Sequence, residues 1–403
     1  MIPLDEARSY VLARIERLEP IDLAVDEALG LVLAEPVIAT EQIPPFANSA
    51  MDGFALRAAD SGEGARLRVV ATIAAGATFD GEVGPGEAAR IMTGAPMPAG
   101  ADAVVMVEKT AVEGDTVVIE SAVPEGNHVR PAGDDMQPGD EVLAVGMEVT
   151  PAILGVLHTL GRREVRVRRR PRIGVMSTGD ELVADGRPLE PGQIRDSNRP
   201  TLVALVNEVG CEAVDLGLFR DDEAAIEAAL RSGAEVCDAI LTSGGVSMGD
   251  YDYVKAVLDQ LGEMRWMQVA IRPAKPLAFG IVHDDERPVA VFGLPGNPVS
   301  SIVSFELFAR PALRHMMGHA VLDRPRLRAV AGDPLRRRPD GKIHFARVVA
   351  SHEPDGSLVA RSAGAQGSHH TAAMAAANAL AVLPDGDGVE AGGVVEVFLL
   401  GRS

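Results

Sequence analysis

The sequence predicts a multidomain α/β protein with a doubly wound, mostly parallel central sheet, and three observations carry that expectation. From Arg172 onward short apolar runs alternate with helical periodicity: strand 173–176, helix 198–209, strand 212–218, helix 222–231, strand 239–242 and helix 251–261. Such alternation builds parallel sheets covered by helices. From 67 to about 149 the texture differs, with short strands separated by turns such as Gly81-Glu-Val-Gly-Pro-Gly86 and Val123-Pro-Glu-Gly-Asn127, which is all-β; turn-rich β texture returns after Pro325. Finally, 403 residues exceed what one core supports, since domains average roughly 150 residues.

Each remaining segment follows in order. Residues 4–18 carry apolar positions at helical spacing, and 21–37 reads as a β-like run. Residues 43–56 form a Pro-rich loop entering a strand, with Asn48, Ser49, Met51 and Asp52 in a non-repetitive order. Residues 151–160 look helical, and the basic stretch 162–170, ending at Pro171, reads as a solvated linker strand. The Ala-rich stretch 371–379 interrupts the final β module.

Composition narrows the partners. At 47% apolar and 24% charged the chain is globular, and no apolar run approaches the roughly 18 residues of a membrane span. The first residues lack a basic region followed by an apolar core, so a cytoplasmic location is expected. A formal net charge of −20 argues against nucleic acid, whose phosphates need a basic face. An anionic ligand therefore requires a locally positive or metal-bridged site. Cys211 and Cys237 sit far apart in apolar surroundings and read as small buried hydrophobes.

The chemistry concentrates in loops that follow the predicted parallel strands, where such sheets bind ligands. In Leu241-Thr-Ser-Gly-Gly-Val-Ser-Met-Gly-Asp-Tyr-Asp252 an apolar strand feeds a Gly-rich turn that opens a helix. Gly244 and Gly245 let the backbone approach a phosphate, and the helix start offers free N–H groups. Asp250 and Asp252 would repel a bare phosphate, so the turn makes electrostatic sense with a hard cation such as Mg²⁺ between them; the plain alternative is a tight turn whose Asp residues cap the helix. In Ser177-Thr-Gly-Asp-Glu181, Asp180 and Glu181 either ligate a metal or begin a capped helix. Arg272 and Lys275 stand between prolines that fix their backbones. Gly293-Leu-Pro-Gly-Asn-Pro-Val-Ser-Ser301 is a rigid turn opening a helix, a second candidate anion pocket.

These loops, with Asn48-Ser-Ala-Met-Asp-Gly-Phe-Ala55, Arg90-Ile-Met-Thr-Gly-Ala-Pro-Met-Pro98, Gly133-Asp-Asp135 and Gly367-Ser-His369, match a known family in order along nearly the whole chain. The sequence resembles the molybdopterin molybdenumtransferases, the family of MoeA and the gephyrin E-domain. That resemblance implies four parts: an elongated helical and linker portion (1–19, 39–47 and 130–170), an inserted β domain (20–38 and 48–129), an α/β molybdopterin-binding domain (171–324) and a C-terminal β barrel (325–403). It implies insertion of molybdate into adenylylated molybdopterin with Mg²⁺-assisted release of AMP. It also implies a homodimer in which Asp52 and Thr93 serve the partner's cleft, and contact with other molybdenum-cofactor biosynthesis proteins.

By the same resemblance, Asp52, Glu181, Asp221 and Asp252 are the catalytic candidates, with Glu181, Asp221, Asp250 and Asp252 toward the metal and Asp135 assisting. Thr93, Thr178, Gly179, Ser243, Gly244, Gly245 and Ser247 fall to the pterin nucleotide. Molybdate falls to Pro295, Gly296, Asn297 and Pro298, with Arg347 and Ser368 reaching in and Arg272 and Lys275 nearby; Gln268 and Arg272 stand where some members carry lysines. Two other readings share these features. A molybdopterin adenylyltransferase uses a similar α/β domain, though its loop continues Gly-Gly-Thr-Gly where this chain has Gly244-Gly-Val-Ser247. A gephyrin-like scaffold would bind partners without catalysis.

Overall fold

The computed structural model describes residues 1–244, 253–284 and 287–401. The chain divides into two compact units, one of Met1–Ala34, Gly146–Leu154 and Glu164–Ser403, the other of Glu35–Val145 and Gly155–Arg163.

The first unit is built on a six-stranded sheet. In chain order its strands are Arg172–Thr178, Glu212–Phe219, Ala239–Ser243, Gly262–Gln268, Pro276–Asp284 and Arg287–Leu294; in space they run second, first, third, sixth, fifth, fourth. The first, second, third and sixth are mutually parallel, and the fourth and fifth add an antiparallel edge. The first and third strands are buried almost end to end, as expected of strands covered on both faces. Residue parity divides the cover. Ile173, Val175, Leu241 and Phe292 pack with Leu202 and Val206 of helix Asn198–Glu208, whereas Met176, Ile240 and Val291 pack with Ile226 and Leu230 of helix Glu223–Val236 and with Val254 and Leu258 of helix Tyr253–Leu261. Asp222 caps the second of these helices by accepting from the Ala225 N–H at 2.8 Å.

After the sixth strand a helix runs from Pro298 to Met316, with a π-helical turn at Phe305–Ala309 inside it. The C-terminal strands then close a five-stranded barrel in the order Ile343–His352, Leu358–Ser362, Arg326–Ala331, Val394–Leu399, Ala379–Leu383 and back to the start. Its interior is lined by Ala329, Ala346, Ala360, Ala379 and Ala381, small side chains that let a narrow barrel fill without strain. The Ala-rich stretch thus serves twice, as helix Thr371–Ala376 and as a barrel strand.

Several expectations change here. The first helix spans Leu4–Leu12 and not residues 4–18; beyond it the chain leaves helical geometry, and the Leu18 N–H bonds the Met316 carbonyl at 2.9 Å. Pro20–Ala24 and Val32–Leu33 do not enter the sheet formed within 48–129. They flank Glu164–Arg168, pairing Leu23 with Val165 and Leu33 with Val167. The basic segment is therefore the middle strand of a small sheet: Val165 and Val167 are buried while Arg166 between them faces outward.

The second unit holds a six-stranded sheet in the order Ala103–Met106, Gly53–Leu56, Glu87–Ile91, Arg66–Ile73, Thr116–Ile119, Thr110–Glu113. Val37–Ile38 pairs there with Glu141–Leu143, and Asn48–Ser49 with Val129–Arg130. Cys211 and Cys237 are buried and unpaired, and burial pushes both thiols above their ordinary range. Among the described residues no helix is long and apolar enough to cross a membrane.

Candidate active site

The carboxyl ends of the first, third and sixth strands lie side by side, with Ser177 level with Ser243 and Ser243 level with Leu294. The loops leaving them meet closely. Gly244 adopts φ +97°, and a Cβ there would lie 3.0 Å from the Thr178 carbonyl and 3.4 Å from its hydroxyl. A Cβ on Gly296 would come 3.9 Å from the Gly244 Cα. Without side chains at these two glycines the loops close to contact distance around Thr178, and the bare backbone of this glycine hollow is exposed at Gly296.

Sequence reasoning missed the residue that joins these loops. Asn198 donates through Nδ2 to the Ser243 hydroxyl at 2.8 Å and to the Gly296 carbonyl at 2.7 Å, leaving its Oδ1 buried without a partner. Beside it, Asp196 accepts from the Ser177 hydroxyl at 3.1 Å and from Arg199 Nε at 2.9 Å. The available signal was Asp196-Ser-Asn198 just before an apolar-periodic run, a helix-start signature placed beyond a strand.

Carboxylates gather at one side of the hollow. The Gly179 N–H bonds the Phe219 carbonyl at 3.1 Å, which brings Asp180 and Glu181 toward Asp221. Burial raises the Asp221 carboxyl above its ordinary value, partly countered by a hydrogen bond from the Asp180 backbone, and the charges of Asp180 and Glu181 raise it further. Mutual repulsion of this kind is what a hard divalent cation relieves, and the all-oxygen donor set suits Mg²⁺. No helix starts at Glu181; Leu182–Val183 instead pairs in parallel with Ile194–Arg195. Among the described residues no three His, Cys, Asp or Glu side chains converge on a metal-sized position. Gly245, Ser247, Asp250 and Asp252 lie outside the described residues.

The oxyanion candidates lie on the loop after the sixth strand and on the C-terminal strands. Pro298 opens its helix directly after Asn297, and the Val299 N–H is already bonded to the Ser368 carbonyl at 3.1 Å. That bond fastens the Gly367–Ser368 loop to the helix that follows Pro295-Gly-Asn-Pro298. Arg347 is wholly buried on strand Ile343–His352. Its Nη2 donates to the carbonyls of Ala365 at 2.8 Å and Gly367 at 3.2 Å, while Nε and Nη1 are buried with no partner. Burial lowers its affinity for the proton below that of an ordinary arginine. Unsatisfied buried donors are costly, which makes these two nitrogens candidates for binding an anion. Arg272 and Lys275 are both exposed, on either side of buried Ala274, and Ile271–Arg272 pairs with Ile343–His344.

The second unit, taken by itself, holds a defined pair. Asp52 Oδ1 accepts from the Thr93 N–H at 2.7 Å and from the Thr93 hydroxyl at 2.8 Å. These bonds, the backbone one foremost, with Arg90 nearby, hold the Asp52 carboxyl below its ordinary range, so it stays ionised. Asp135 is exposed on a segment tied to the Pro-rich loop, its N–H bonded to the Ile43 carbonyl at 2.9 Å.

Comparison with known proteins bears on the same loops. Residues 2–161 match the MoeA N-terminal region (domain I and II), 174–315 a probable molybdopterin binding domain and 328–400 the MoeA C-terminal region (domain IV). The chain is 39% identical over 402 residues to a molybdopterin molybdenumtransferase of Haemophilus influenzae, covering 98% of both, and 35% identical to one of Bacillus subtilis, covering 99% of this chain and 94% of that one. A solved molybdopterin biosynthesis MoeA protein from Pyrococcus horikoshii superposes with a TM-score of 0.84 at 28% identity, over 99% of this chain and all of that one. The chain belongs to the molybdopterin molybdenumtransferase family, the MoeA enzymes of molybdenum cofactor biosynthesis.

Proposed function

We propose that the chain takes molybdate and adenylylated molybdopterin, places the metal at the dithiolene and releases AMP, with Mg²⁺ held at Glu181, Asp221, Asp250 and Asp252. The observation that carries the reading is the side-chain-free meeting of the loops at Thr178, Gly244 and Gly296, with ionisable oxygens beside Asp221 and unsatisfied guanidinium nitrogens within the same unit.

The residues divide the work. The glycine hollow admits a phosphate to main-chain distance, and Asn198 fixes two of its walls, so alignment is set before the substrate arrives. Asp180, Glu181 and Asp221 concentrate negative charge where a phosphoanhydride needs its own charge neutralised. A divalent cation bound there supplies that neutralisation at the phosphate oxygens. Arg347 offers two spare N–H donors to the molybdate dianion. The expected result is AMP release that requires both molybdate and Mg²⁺, read by chromatography; protein that binds the nucleotide substrate yet releases no AMP would end the transferase reading.

We further propose a cytoplasmic homodimer. Asp52 and Thr93 form an exposed, ionised acceptor and donor pair set in advance by hydrogen bonds, a surface suited to meeting a second copy. Mixed Asp52→Asn and Asp221→Asn proteins, each inactive, are expected to recover part of the AMP release as subunits exchange. A monomer in sedimentation at micromolar concentration would sink the shared-site arrangement.

A further inference from the structure

A cavity of about 560 Å³ lies in the first unit, lined in part by Arg170 and Gly210, which precede the first two strands of the central sheet. It therefore stands at the amino ends of those strands, whereas the glycine hollow stands at the carboxyl ends. Four arginines and four carboxylates contribute to its lining, so its formal charge is balanced. The pairing is not. Glu306 gives both oxygens to Arg324, at 2.7 and 3.0 Å, and Arg324 also reaches Glu208 at 3.2 Å. Asp323 is bonded by Arg8, and Glu148, half exposed, is 3.9 Å from the His319 ring.

Two arginines one helical turn apart are left over. Arg310 comes no nearer to a carboxylate than 3.9 Å, from Nε to Glu306, and Arg314 has none within 4.0 Å among the described residues. Each is held by a carbonyl, Arg310 by Leu322 at 3.1 Å and Arg314 by Val321 at 2.9 Å, which fixes its position without neutralising it. His319 adds no charge. Burial, then Arg314 and Arg310, lowers its imidazole to about 3, so it is neutral and accepts from Arg314 at 3.1 Å. Burial and the neighbouring Arg324 lower Arg310 to about 10, and Glu306 and Asp323 offset them only in part. Arg170 is exposed on the lining, with no carboxylate within 4.0 Å among the described residues. The carbonyl end of helix Asn198–Glu208, which would oppose an anion, is closed by the N–H groups of Val209, Gly210 and Cys211.

We propose that this cavity is a second anion site, which takes a phosphate group between Arg310, Arg314 and Arg170. Fixed guanidinium forks suit a tetrahedral oxyanion, and the volume leaves room for an organic remainder on the phosphate.

The test is calorimetric titration of the full chain with inorganic phosphate and, separately, with glycerol 3-phosphate. Wild type is expected to bind at least one saturably. Tighter binding of the ester identifies a phosphate monoester as the ligand, and tighter binding of the inorganic ion identifies free phosphate. Arg310→Gln should weaken binding about ten- to a hundredfold, the span of one charge-assisted hydrogen bond. Arg170→Ala, at an exposed position that leaves folding intact, should weaken it several-fold, whereas Arg347→Met should leave it unchanged. The proposal fails if neither probe binds saturably, if Arg310→Gln and Arg170→Ala both bind as wild type does, or if Arg347→Met abolishes binding.

Discussion

Glu181→Gln protein is expected to fold normally and to lose AMP release by on the order of a hundredfold or more. Glu181 is exposed, so an amide of the same shape disturbs no packing. What changes is charge: the carboxylate that bears on Asp221 disappears, and with it one of the oxygens assigned to the cation. Two readouts separate this role from a merely structural one. Raising Mg²⁺ should restore part of the rate, because losing one ligand weakens cation binding before it alters the rest of the site. Asp221→Asn should be comparably impaired, and the double variant should be little worse than either single one, since groups that act as a unit are not additive. Turnover equal to wild type in Glu181→Gln would remove Glu181 from the mechanism.

The central sheet was legible because its signals are local. Arg172–Thr178 and Ala239–Ser243 carry buried-strand composition, Glu212–Phe219 a short mixed strand, and the intervening helices amphipathic spacing, so each element can be read without knowing its neighbours. The pairing of Pro20–Ala24 with Glu164–Arg168 was not legible, because strands so far apart in sequence leave no mark of their partnership. The site shows the same division. Glycine and proline loops announced the hollow, but the Asn198 clamp exists only once Ser243 and Gly296 have been brought together by the sheet. Arg347 is intermediate. Ile343, Phe345 and Arg347 share parity along one strand, opposite to Ala346 and Val348 of the barrel interior, so counting alone reads a surface arginine on the barrel's outer face; it is buried because that face packs, through Phe345, into the central core.

That burial decides how Arg347 should be tested. Truncation to alanine would leave a large void as well as removing charge, and the loss of stability would obscure the loss of binding. Arg347→Met keeps much of the volume and removes every donor. It frees the Ala365 and Gly367 carbonyls, costing about 1–3 kcal/mol, but it also removes two buried nitrogens that had no partner, so the net destabilisation is expected to be small. Molybdate affinity, in contrast, should fall about ten- to a hundredfold, because a charge-assisted hydrogen bond contributes roughly 1.5–3 kcal/mol. Pterin-nucleotide affinity should hardly move, since the glycine hollow is built from Thr178, Gly244 and Gly296 and does not depend on the barrel strand. Arg347→Lys should fall between the two, as a compact ammonium keeps the charge but cannot bond both carbonyls and still present a fork to the anion. The measurement is a pair of titrations on each variant, one ligand at a time, beside a melting curve. Unchanged molybdate affinity in a folded Met variant would move the oxyanion pocket to Arg272 and Lys275, the exposed cations beside Ala274; loss of nucleotide binding alone would mean that the two pockets had been assigned the wrong way round.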